Sequence, residues 1–595
     1  MVLFHVGVPI AGYIGVDVFF AISGFVIAAL ILRELDSAGT FRIRRFWARR
    51  FVRLMPALAL LVVVTSVVSW LVLLPQQRDL TAATGIGSML FVANVVIART
   101  TGNYFDPPAE SNPLLNTWSL SVEEQFYIGF PLLLVLALWL LKNRISLRVT
   151  LAATIAAISL GSFAVMLLAD LGVLTQTWLN FYDPIQRAWE FGAGALLALV
   201  PSKIISGRRL FGAIAAVTAV VLLAAALLTL RSPATYPSVA TLLPVGSTVL
   251  FIVAGMAGAN FATRLLATRP MIAVGDMSYS IYLWHWPAIS IAILLGVEST
   301  ALLALVAALS LIPAWASYRF VESPLRRRMS NAGRVSWRVP ATTLGAPLLA
   351  GSALLVLPGA ATGLEGDTEL GYLDFITANS TECERLSISV PGTRCRQSQL
   401  GRDPQVIVVG DSHGEHLFPG LIDELASVPS AYVYLEDWPS IVSEDSVGVV
   451  QQIAGNAAVD TVVLSARWNE VNVRSPQLME SAQVLRDAGK TVVILDDVPY
   501  FEFHAMECQY ARLIGPRPRC TMPIGEFLTF RERYLPGLRE VASTTGSDLI
   551  EVGGLFCTEE SCSMVRDGVI HYADNGHLNR EGSRALIREV RGELS

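Results

Sequence analysis

The sequence predicts two fold classes in one chain, a multi-span α-helical membrane bundle followed by a doubly wound α/β domain. Long apolar segments recur through the first 357 residues, whereas short apolar strands alternate with helical stretches from residue 404 onward. The 595 residues are 53% hydrophobic, with a mean hydropathy of +0.52, which is well above the norm for soluble proteins. A chain of this length is expected to form more than one core.

The apolar segments predict the spans of the bundle, because most are long enough to cross a hydrocarbon core of about 30 Å. They lie near residues 13–33, 56–75, 83–98, 123–141, 149–169, 184–200, 209–230, 238–258, 279–296, 299–319 and 341–357. A further stretch before Pro9 has only about eight residues and is too short to span. We therefore expect the natural protein to begin upstream of Met1.

Basic residues predict the orientation of the bundle, since loops rich in Lys and Arg face the cytoplasm. The loop 33–53 contains seven arginines and is expected to be cytoplasmic. If the segment 83–98 is re-entrant, the other basic loops fall on the same side, and ten spans precede residue 326. The span at 341–357 then carries the chain outward, so that residues after 360 are extracytoplasmic.

All six cysteines lie in the C-terminal part of the chain. They are Cys383, Cys395, Cys508, Cys520, Cys557 and Cys562. An even set confined to one domain predicts disulfides and an oxidising compartment. Near neighbours suggest three local pairs, although about 15 connectivities are possible for six cysteines. A zinc site fits less well, because the chain has no CxxC motif, and we expect no metal.

These patterns divide the chain into four parts. We expect a membrane domain over residues 1–330, a linking transmembrane helix over 331–360, a linker with a disulfide loop over 361–400, and an extracytoplasmic α/β domain over 401–595. The strands predicted in the last part are Val406–Val409, Val462–Leu464, Val492–Leu495 and Leu549–Val552. The formal net charge of −5 argues against a nucleic-acid partner.

Two short motifs in the α/β domain predict a serine nucleophile. The motif Gly410–His413 (GDSH) directly follows the first strand, so Ser412 is expected on a sharp turn at the carboxyl edge of the sheet. The motif Asp574–His577 (DNGH) places an acid and an imidazole three residues apart near the end of the domain. We predict that Ser412 attacks an acyl carbonyl, that His577 is its base, and that Asp574 orients His577.

Other residues near these motifs are expected to have secondary roles. The backbone N–H of Ser412 is expected to help bind the oxyanion. His413 and His416 follow the nucleophile on its helix and are interpreted as wall or surface residues rather than bases. His571 is an alternative base that is less well placed than His577.

The membrane part contains polar residues that a passive bundle would avoid, because ionisable side chains are costly in a bilayer. His5 is a functional candidate, with an interfacial histidine as the plain alternative. The arginine-rich segment 46–56 anchors the cytoplasmic side and also suits a phosphate-bearing donor. Further candidates open or line predicted spans: Glu123, Glu124, Arg187, Glu190 and His285.

Five sequence strings carry a family resemblance. They are GVDVFFAISGF (15–25), RRFVRLMP (49–56), WSLSVEEQFY (118–127), SYSIYLWHWP (278–287) and FVESPLR (320–326). In this order they resemble the acyltransferase-3 membrane family, in the subgroup fused to an extracytoplasmic SGNH-hydrolase-like domain. The resemblance implies a bacterial inner-membrane enzyme that moves acyl groups, commonly acetyl from acetyl-CoA, onto cell-envelope polysaccharides. It also implies acyl transfer at His5 and donor recognition by Arg49, Arg50 and Arg53.

Three positions depart from the family pattern. The arginine usual eleven residues before His5 is absent, which again favours an upstream start. Asn116 stands where the family often has a histidine. The string Ser465–Asn469 stands where an SGNH domain has GxND, so Asn469 is a candidate oxyanion donor without the usual motif.

The predicted function is transmembrane O-acyl transfer, with acetyl as the expected group. The bundle takes the acyl group from a cytoplasmic acyl-CoA, and Ser412 accepts it as an ester and delivers it to a sugar hydroxyl. Two alternatives stay open: a glycan O-acyl esterase, and a non-enzymatic carrier with a glycan-binding outer domain. The expected partners are membrane lipid and an envelope glycan, and the acceptor stays open among peptidoglycan, the O-antigen of lipopolysaccharide, secreted polysaccharide and macrolide-type small molecules. Acyl length and oligomeric state stay open.

Overall fold

The computed structural model forms two compact units, Met1–Thr362 and Gly363–Ser595. It describes residues 1–73, 75–100, 109–140, 146–174, 181–230, 236–297, 299–332, 338–357, 371–384, 386, 388, 393–435, 441, 443–503, 505, 508 and 520–594.

The described residues of the first unit form helices joined by loops, and they include no strand. Its helices are α1 (Val2–His5), α2 (Gly15–Ala38), α3 (Ile43–Val72), α4 (Pro75–Met89), α5 (Ala93–Thr100), α6 (Thr117–Leu140), α7 (Leu147–Asp170), α8 (Pro184–Leu199), α9 (Ser202–Ile205), α10 (Arg209–Thr229), α11 (Leu242–Ala257), α12 (Phe261–Leu266), α13 (Arg269–Leu294), α14 (Thr300–Leu309), α15 (Leu311–Ala316), α16 (Ser323–Ala332) and α17 (Arg338–Val356). A π-helical turn, Ser317–Glu322, joins α15 to α16.

Within the described residues, seven helices are long and apolar enough to cross a membrane. They are Gly12–Ala38, Ile43–Val72, Thr117–Ala137, Arg148–Asp170, Arg209–Thr229, Val239–Ala257 and Thr300–Arg327. Large apolar side chains point outward from them, such as Leu160, Leu210 and Ile312, which are 70%, 75% and 65% exposed. So much exposed apolar surface suits contact with lipid rather than water. The chain is therefore a multi-pass membrane protein.

The remaining predicted spans differ from these seven in length or polarity. The predicted span 184–200 is the 16-residue helix α8, and 279–296 lies in α13, which carries Arg269, Asp276 and His285. No continuous helix covers 83–98, because α4 ends at Met89 and α5 begins at Ala93. Phe91, between them, has a left-handed φ of 60°, which ends a right-handed helix. A continuous crossing by 83–98 is thereby excluded, and its re-entrant topology stays a prediction.

The helices α2 and α8 of the first unit pack closely against each other. A Cβ atom on Gly24 would lie 1.8 Å from the Phe191 carbonyl oxygen, and one on Gly194 would lie 1.9 Å from that of Ala21. Glycine is therefore required at both positions for the two backbones to meet, as is common where helices pack in membranes.

The second unit is a seven-stranded mixed sheet with helices on both faces. Its strands are β1 (Thr381–Glu382), β2 (Thr393–Gln397), β3 (Val406–Gly410), β4 (Ser430–Leu435), β5 (Thr461–Ser465), β6 (Thr491–Leu495), β7 (Thr521–Pro523), β8 (Asp548–Ile550), β9 (Ser561–Ser563), β10 (Val565–Arg566) and β11 (Val569–Ile570). The sheet order is β1-β2-β4-β3-β5-β6-β8, and β7 with β9 and β10 with β11 form two small separate pairs. The five strands from β4 to β8 in this order are parallel, whereas β1 and β2 add antiparallel at one edge.

Alternate residues of the central strands face opposite layers, as a pleated strand requires. Val408 packs in a core with Phe418, whereas its neighbour Val409 packs in the opposite core with Leu478. The helices of this unit are α18 (Gly371–Asn379), α19 (Ser412–Glu415), α20 (Phe418–Glu424), α21 (Glu444–Ala454), α22 (Pro476–Asp487), α23 (Ile524–Arg531), α24 (Leu535–Thr545) and α25 (Arg580–Leu594). The predicted doubly wound fold is confirmed.

The segment predicted as a linker, 361–400, contributes to this fold. Helix α18 buries Tyr372 and Ile376 in one core, and all five residues of β2 pair with β4. Among the described residues of this segment, α18, β1 and β2 thus belong to the α/β unit, with β1 and β2 at one edge of its sheet, rather than to an irregular linker.

Candidate active site

The nucleophile turn begins where the central strand β3 ends. Asp411 caps the short helix α19, and its carboxylate accepts hydrogen bonds from the backbone N–H groups of His413 (2.8 Å) and Arg467 (3.0 Å). A Cβ on Gly410 would lie 1.7 Å from the Ser465 carbonyl oxygen, so a side chain cannot be accommodated there. The turn after β3 therefore requires this glycine, and it places Ser412 at the carboxyl edge of the parallel sheet.

Ser412, His577 and Asp574 form one hydrogen-bonded chain. His577 Nε2 lies 2.8 Å from Ser412 Oγ, and His577 Nδ1 lies 2.7 Å from Asp574 Oδ2. Because the carboxylate accepts, Nδ1 carries the proton, and Nε2 is left to accept the hydrogen bond from the serine hydroxyl. This is the arrangement of a serine whose proton can pass to an oriented base.

Asp574 is held ionised by its surroundings. Its other oxygen, Oδ1, accepts hydrogen bonds of 2.7 Å from the backbone N–H groups of Gly576 and His577. Burial alone would raise the pKa of Asp574, but the His577 side chain and these N–H groups outweigh burial, and the net pKa lies below the ordinary value. A Cβ on Gly576 would lie 2.6 Å from the Tyr500 ring, so glycine allows the loop to lie against Tyr500.

Three further histidines lie near this chain, and none contacts Ser412 by a described hydrogen bond. His413 Nδ1 lies 2.8 Å from Asp497 Oδ1, and the His413 ring packs 4.7 Å from the His577 ring. His416 Nδ1 accepts a hydrogen bond from the Leu578 N–H. His571 Nδ1 lies 3.1 Å from the Val569 carbonyl oxygen.

The electrostatics of these histidines differ. Burial lowers the pKa of His413, but the charge and hydrogen bond of Asp497 outweigh it, so that the net pKa lies above the ordinary value. Burial lowers the pKa of His416 well below its ordinary value, with neighbouring His413 and His577 adding to the effect. Both are buried wall residues rather than surface residues.

Asp497 was not found from the sequence. It lies just after β6, which ends at the same edge of the sheet as β3, and this position is the signal that could have indicated it.

The candidate oxyanion residue lies in the loop after β5. Asn469 is half-buried, and within the described part of the chain its Oδ1 atom is buried with no hydrogen-bond partner. Two residues earlier, the Arg467 N–H binds Asp411 beside the nucleophile. An oxyanion role for Asn469 and for the Ser412 N–H stays a prediction.

Disulfides join the six cysteines as three local pairs. They are Cys383–Cys395, Cys508–Cys520 and Cys557–Cys562. The described residues contain no group of three or more metal-ligating side chains placed to hold an ion.

In the membrane unit, the structure brings His5 and His285 together across 280 residues of sequence. His5 Nδ1 lies 3.1 Å from His285 Nε2, and the edge of Trp286 packs against the His5 ring at 4.6 Å between centroids. His5, Trp286, Trp118 and Tyr282 line a cavity of about 700 Å³. Asn116, which also lines it, donates a hydrogen bond of 2.7 Å to the Tyr282 carbonyl oxygen.

The three predicted donor-binding arginines lie in different environments. Arg50 is mostly buried and pairs with Glu123 (2.9 Å) and Glu124 (2.6 Å), while Arg49 and Arg53 are exposed. Arg50 is thus the partner that the two adjacent carboxylates require. Donor recognition by all three arginines together does not fit this arrangement.

A second buried ionic cluster links α2 to α8. Arg187 pairs with Asp17 (2.9 Å) and Glu190 (3.4 Å), and the Tyr236 hydroxyl donates a hydrogen bond of 2.7 Å to Asp17. Asp17 was missed in the sequence, although a lone acid in the apolar run after Gly15 is a signal. Tyr236 has no sequence signal that would indicate this role.

Comparisons with known proteins agree with both units. A family model described as an acyltransferase domain matches residues 1–319, and one described as an SGNH domain fused to such domains matches residues 382–592. The peptidoglycan O-acetyltransferase OatA of Listeria monocytogenes is 28% identical over 53% of this chain and 51% of its own length.

Two further relatives have provisional names. The peptidoglycan O-acetyltransferase YrhL of Bacillus subtilis is 31% identical over 60% of this chain and 58% of its own length. The membrane-bound transacylase BcsY of Komagataeibacter xylinus is 32% identical over 60% of this chain and 85% of its own length. The chain thus spans between half and three-fifths of the length of the two peptidoglycan acetyltransferases.

Proposed function

The chain belongs to the membrane acyltransferase family whose model matches residues 1–319, and from this premise we propose that it is an O-acetyltransferase of the bacterial cell envelope. The acetyl group comes from cytoplasmic acetyl-CoA, crosses the membrane unit, and reaches a hydroxyl of an envelope glycan through Ser412. The names of the relatives favour peptidoglycan among the possible glycans. The α/β unit faces the extracytoplasmic side of the inner membrane, which its three disulfides support.

In the membrane unit, His5 serves the first transfer. It lines a cavity with aromatic walls and is held by a hydrogen bond, as a working imidazole must be. Arg49 and Arg53 are exposed and suit the phosphates of the CoA donor. The charge of Arg50 is already paired with Glu123 and Glu124, so these three residues hold α3 and α6 together.

In the α/β unit, Ser412 serves the second transfer. Its Oγ attacks the carbonyl of the acetyl group that the membrane unit delivers, while its proton passes to His577 Nε2. The bond between the acetyl carbon and the group that carried it then breaks, and the proton goes to that departing carrier. The glycan hydroxyl next attacks the Ser412 ester, gives its proton to His577, and the proton returns to Ser412 Oγ. Splitting the transfer through a covalent ester makes each step easier.

The observation that carries the proposal is the Ser412–His577–Asp574 hydrogen-bonded chain in a protein whose other unit is an acyltransferase domain. The test uses membrane vesicles containing the full chain, labelled acetyl-CoA and envelope glycan. Base-labile label on the glycan is measured as an initial rate. We expect His5→Ala and Ser412→Ala each to lower this rate by at least about 10³-fold.

The matched control is Ser543→Ala, which removes an exposed serine hydroxyl of α24 and should leave the rate unchanged. Peptide mass spectrometry should find an acetyl adduct on Ser412 in the wild type and none in His5→Ala. Full transfer by either His5→Ala or Ser412→Ala would contradict the two-site relay. Release of acetate from acetylated glycan without any donor would instead favour the esterase.

A further inference from the structure

The hydrogen bonds around His5 and His285 determine which nitrogen of each ring carries a proton. His285 Nδ1 lies 3.1 Å from the Ile281 carbonyl oxygen, one turn earlier on α13. A carbonyl oxygen only accepts, so His285 Nδ1 must donate. His285 Nε2, 3.1 Å from His5 Nδ1, then has a lone pair if the His285 ring is neutral, and His5 Nδ1 is the donor.

The alternative is a His285 cation, which would donate from both nitrogens. His285 is 1% exposed, and within the described residues no carboxylate forms an ion pair with it. A buried cation without a counterion is costly. The neutral ring is therefore the state that this environment favours.

The contact is an end-to-end hydrogen bond rather than ring stacking. The two ring planes differ by 10°, and their centroids are 5.2 Å apart. That separation matches the 3.1 Å contact between nitrogens plus one ring radius at each end. The two rings therefore meet through their nitrogens rather than face to face, as an N–H···N hydrogen bond requires.

We propose that His285 is a positioning residue that holds His5 in the tautomer protonated at Nδ1. The chain of donors runs from His5 Nδ1 to His285 Nε2 and from His285 Nδ1 to the Ile281 carbonyl oxygen. His5 Nε2 then carries the lone pair, available for proton transfer in the first acyl transfer. This inference rests on the proposed function for the role of His5, but the tautomer itself does not.

Trp286 supports this arrangement from the neighbouring position. Its Nε1 donates a hydrogen bond of 2.8 Å to the Asn112 carbonyl oxygen, which fixes the indole in its edge-to-face contact with the His5 ring. Rotation of the His5 ring away from His285 would displace this indole. The His5 ring is thus held by one hydrogen bond and one packed wall.

The direct test is the ¹⁵N spectrum of the full chain in lipid with ¹⁵N-labelled histidine, with the His5 signals assigned by loss in His5→Gln. We expect a protonated Nδ1 and an unprotonated Nε2 at His5 in the wild type. In His285→Leu we expect this preference to be lost. A wild-type His5 protonated at Nε2 would overturn the proposal.

The functional test compares His285→Leu with His285→Gln at equal amounts of folded protein. Leucine has no acceptor, so the transfer rate should fall about 10- to 100-fold, the range typical of losing the group that orients a working histidine. Glutamine offers its Oε1 near the place of Nε2 and should restore most of the rate. Equal loss in both variants would overturn the positioning role.

Ser290→Ala is the matched control, because it removes another buried hydrogen bond of α13, to the Glu110 carbonyl oxygen, without touching His5. It should leave both the rate and the His5 spectrum unchanged. Failure of the proposed function would look different. His5→Ala would then transfer acetyl at the wild-type rate, while the wild-type spectrum still reported the tautomer.

Discussion

His5 in the membrane unit and His577 in the α/β unit are both held through the same ring nitrogen, but by partners of different charge. His577 Nδ1 binds the Asp574 carboxylate at 2.7 Å, whereas His5 Nδ1 faces the His285 imidazole at 3.1 Å. Each partner fixes a tautomer whose lone pair is at Nε2. Asp574 in addition carries a negative charge, which in the proposed reaction would stabilise the imidazolium formed when His577 takes a proton.

A carboxylate partner performs two tasks, because it orients the imidazole ring and it stabilises the imidazolium charge. The difference between the two histidines separates these tasks. A carboxylate at the place of His285 would need its own counterion in the membrane interior, where unpaired charge is costly. An imidazole orients His5 without that cost. The comparison therefore predicts that neutralising Asp574 is far more damaging than replacing His285 by another neutral acceptor.

The largest effect is expected for Asp574→Asn. The amide has no negative charge, and its NH₂ group can hold His577 in the wrong tautomer, so the acetyl-transfer rate should fall by about 10³–10⁴-fold. The measurement is the initial rate of glycan acetylation by vesicles containing the full chain. Asp423→Asn, which removes a carboxylate that pairs with Arg580 on α25, is the control and should keep the rate. A loss at Asp574 no larger than that of His285→Gln would remove the distinction between the two histidines.

The membrane unit does contain buried ions, and they are compensated within clusters of opposite charge. Arg50 compensates Glu123 and Glu124, with side-chain exposures of 12%, 3% and 11%. Removing Arg50 leaves two buried carboxylates without a counterion. We expect Arg50→Ala to destabilise the unit by about 3–5 kcal/mol, the usual cost of breaking a buried pair.

The measurement for Arg50 is the fraction of monodisperse protein that remains after heating in detergent. Restoring neutrality with Glu123→Gln and Glu124→Gln in the same chain should recover part of the loss. Arg49→Ala, at the exposed neighbouring position, should change stability by less than about 0.5 kcal/mol. If Arg49→Ala were as destabilising as Arg50→Ala, the buried cluster would not be what stabilises this part of the bundle.

The two units also differ in how far their sites follow from sequence. In the α/β unit, the turn after β3 carries Ser412, and Asp574 lies three residues from His577. Short motifs and the topology of a parallel sheet were therefore sufficient to predict that these three residues lie together. In the membrane unit, partners are distant: 280 residues separate His5 from His285, and 170 separate Arg187 from Asp17. Composition indicates that such groups need partners, but it does not indicate which ones.

The fold class followed from the sequence, but the regular structure in the segment predicted as a linker did not. Strand β2 is polar and lies near one edge of the sheet, so its pairing with β4 through Arg394 and Arg396 leaves no apolar alternation to detect. The segment 83–98 is mostly apolar and uncharged, which leaves a full crossing and a re-entrant course both open, and it is the left-handed φ of Phe91 that excludes the continuous helix. Apolar length limits where a helix can cross, whereas backbone geometry at single residues decides where it ends.

The smallest effect is expected for His571→Gln. The His571 Nδ1 lies 3.1 Å from the Val569 carbonyl oxygen, and within the described residues no hydrogen bond joins its ring to a carboxylate or to Ser412. The transfer rate should stay within about twofold of the wild type, and the loss of one hydrogen bond should cost about 1 kcal/mol or less.

The same variant should also change how the stability of the protein depends on pH. Burial lowers the pKa of His571 in the folded protein, below its ordinary value of about 6.5. Between the two values the unfolded chain binds a proton that the folded chain does not, so the folded state loses stability as the pH falls through this window. His571→Gln removes this contribution, while His416, whose pKa is also lowered, retains its own. Thermal unfolding of the full chain at about pH 7 and about pH 5.5 should therefore show a smaller loss on acidification in the variant. An equal or larger loss, or a fall in transfer rate like that of Asp574→Asn, would mean that His571 has a role which its contact with the Val569 carbonyl does not reveal.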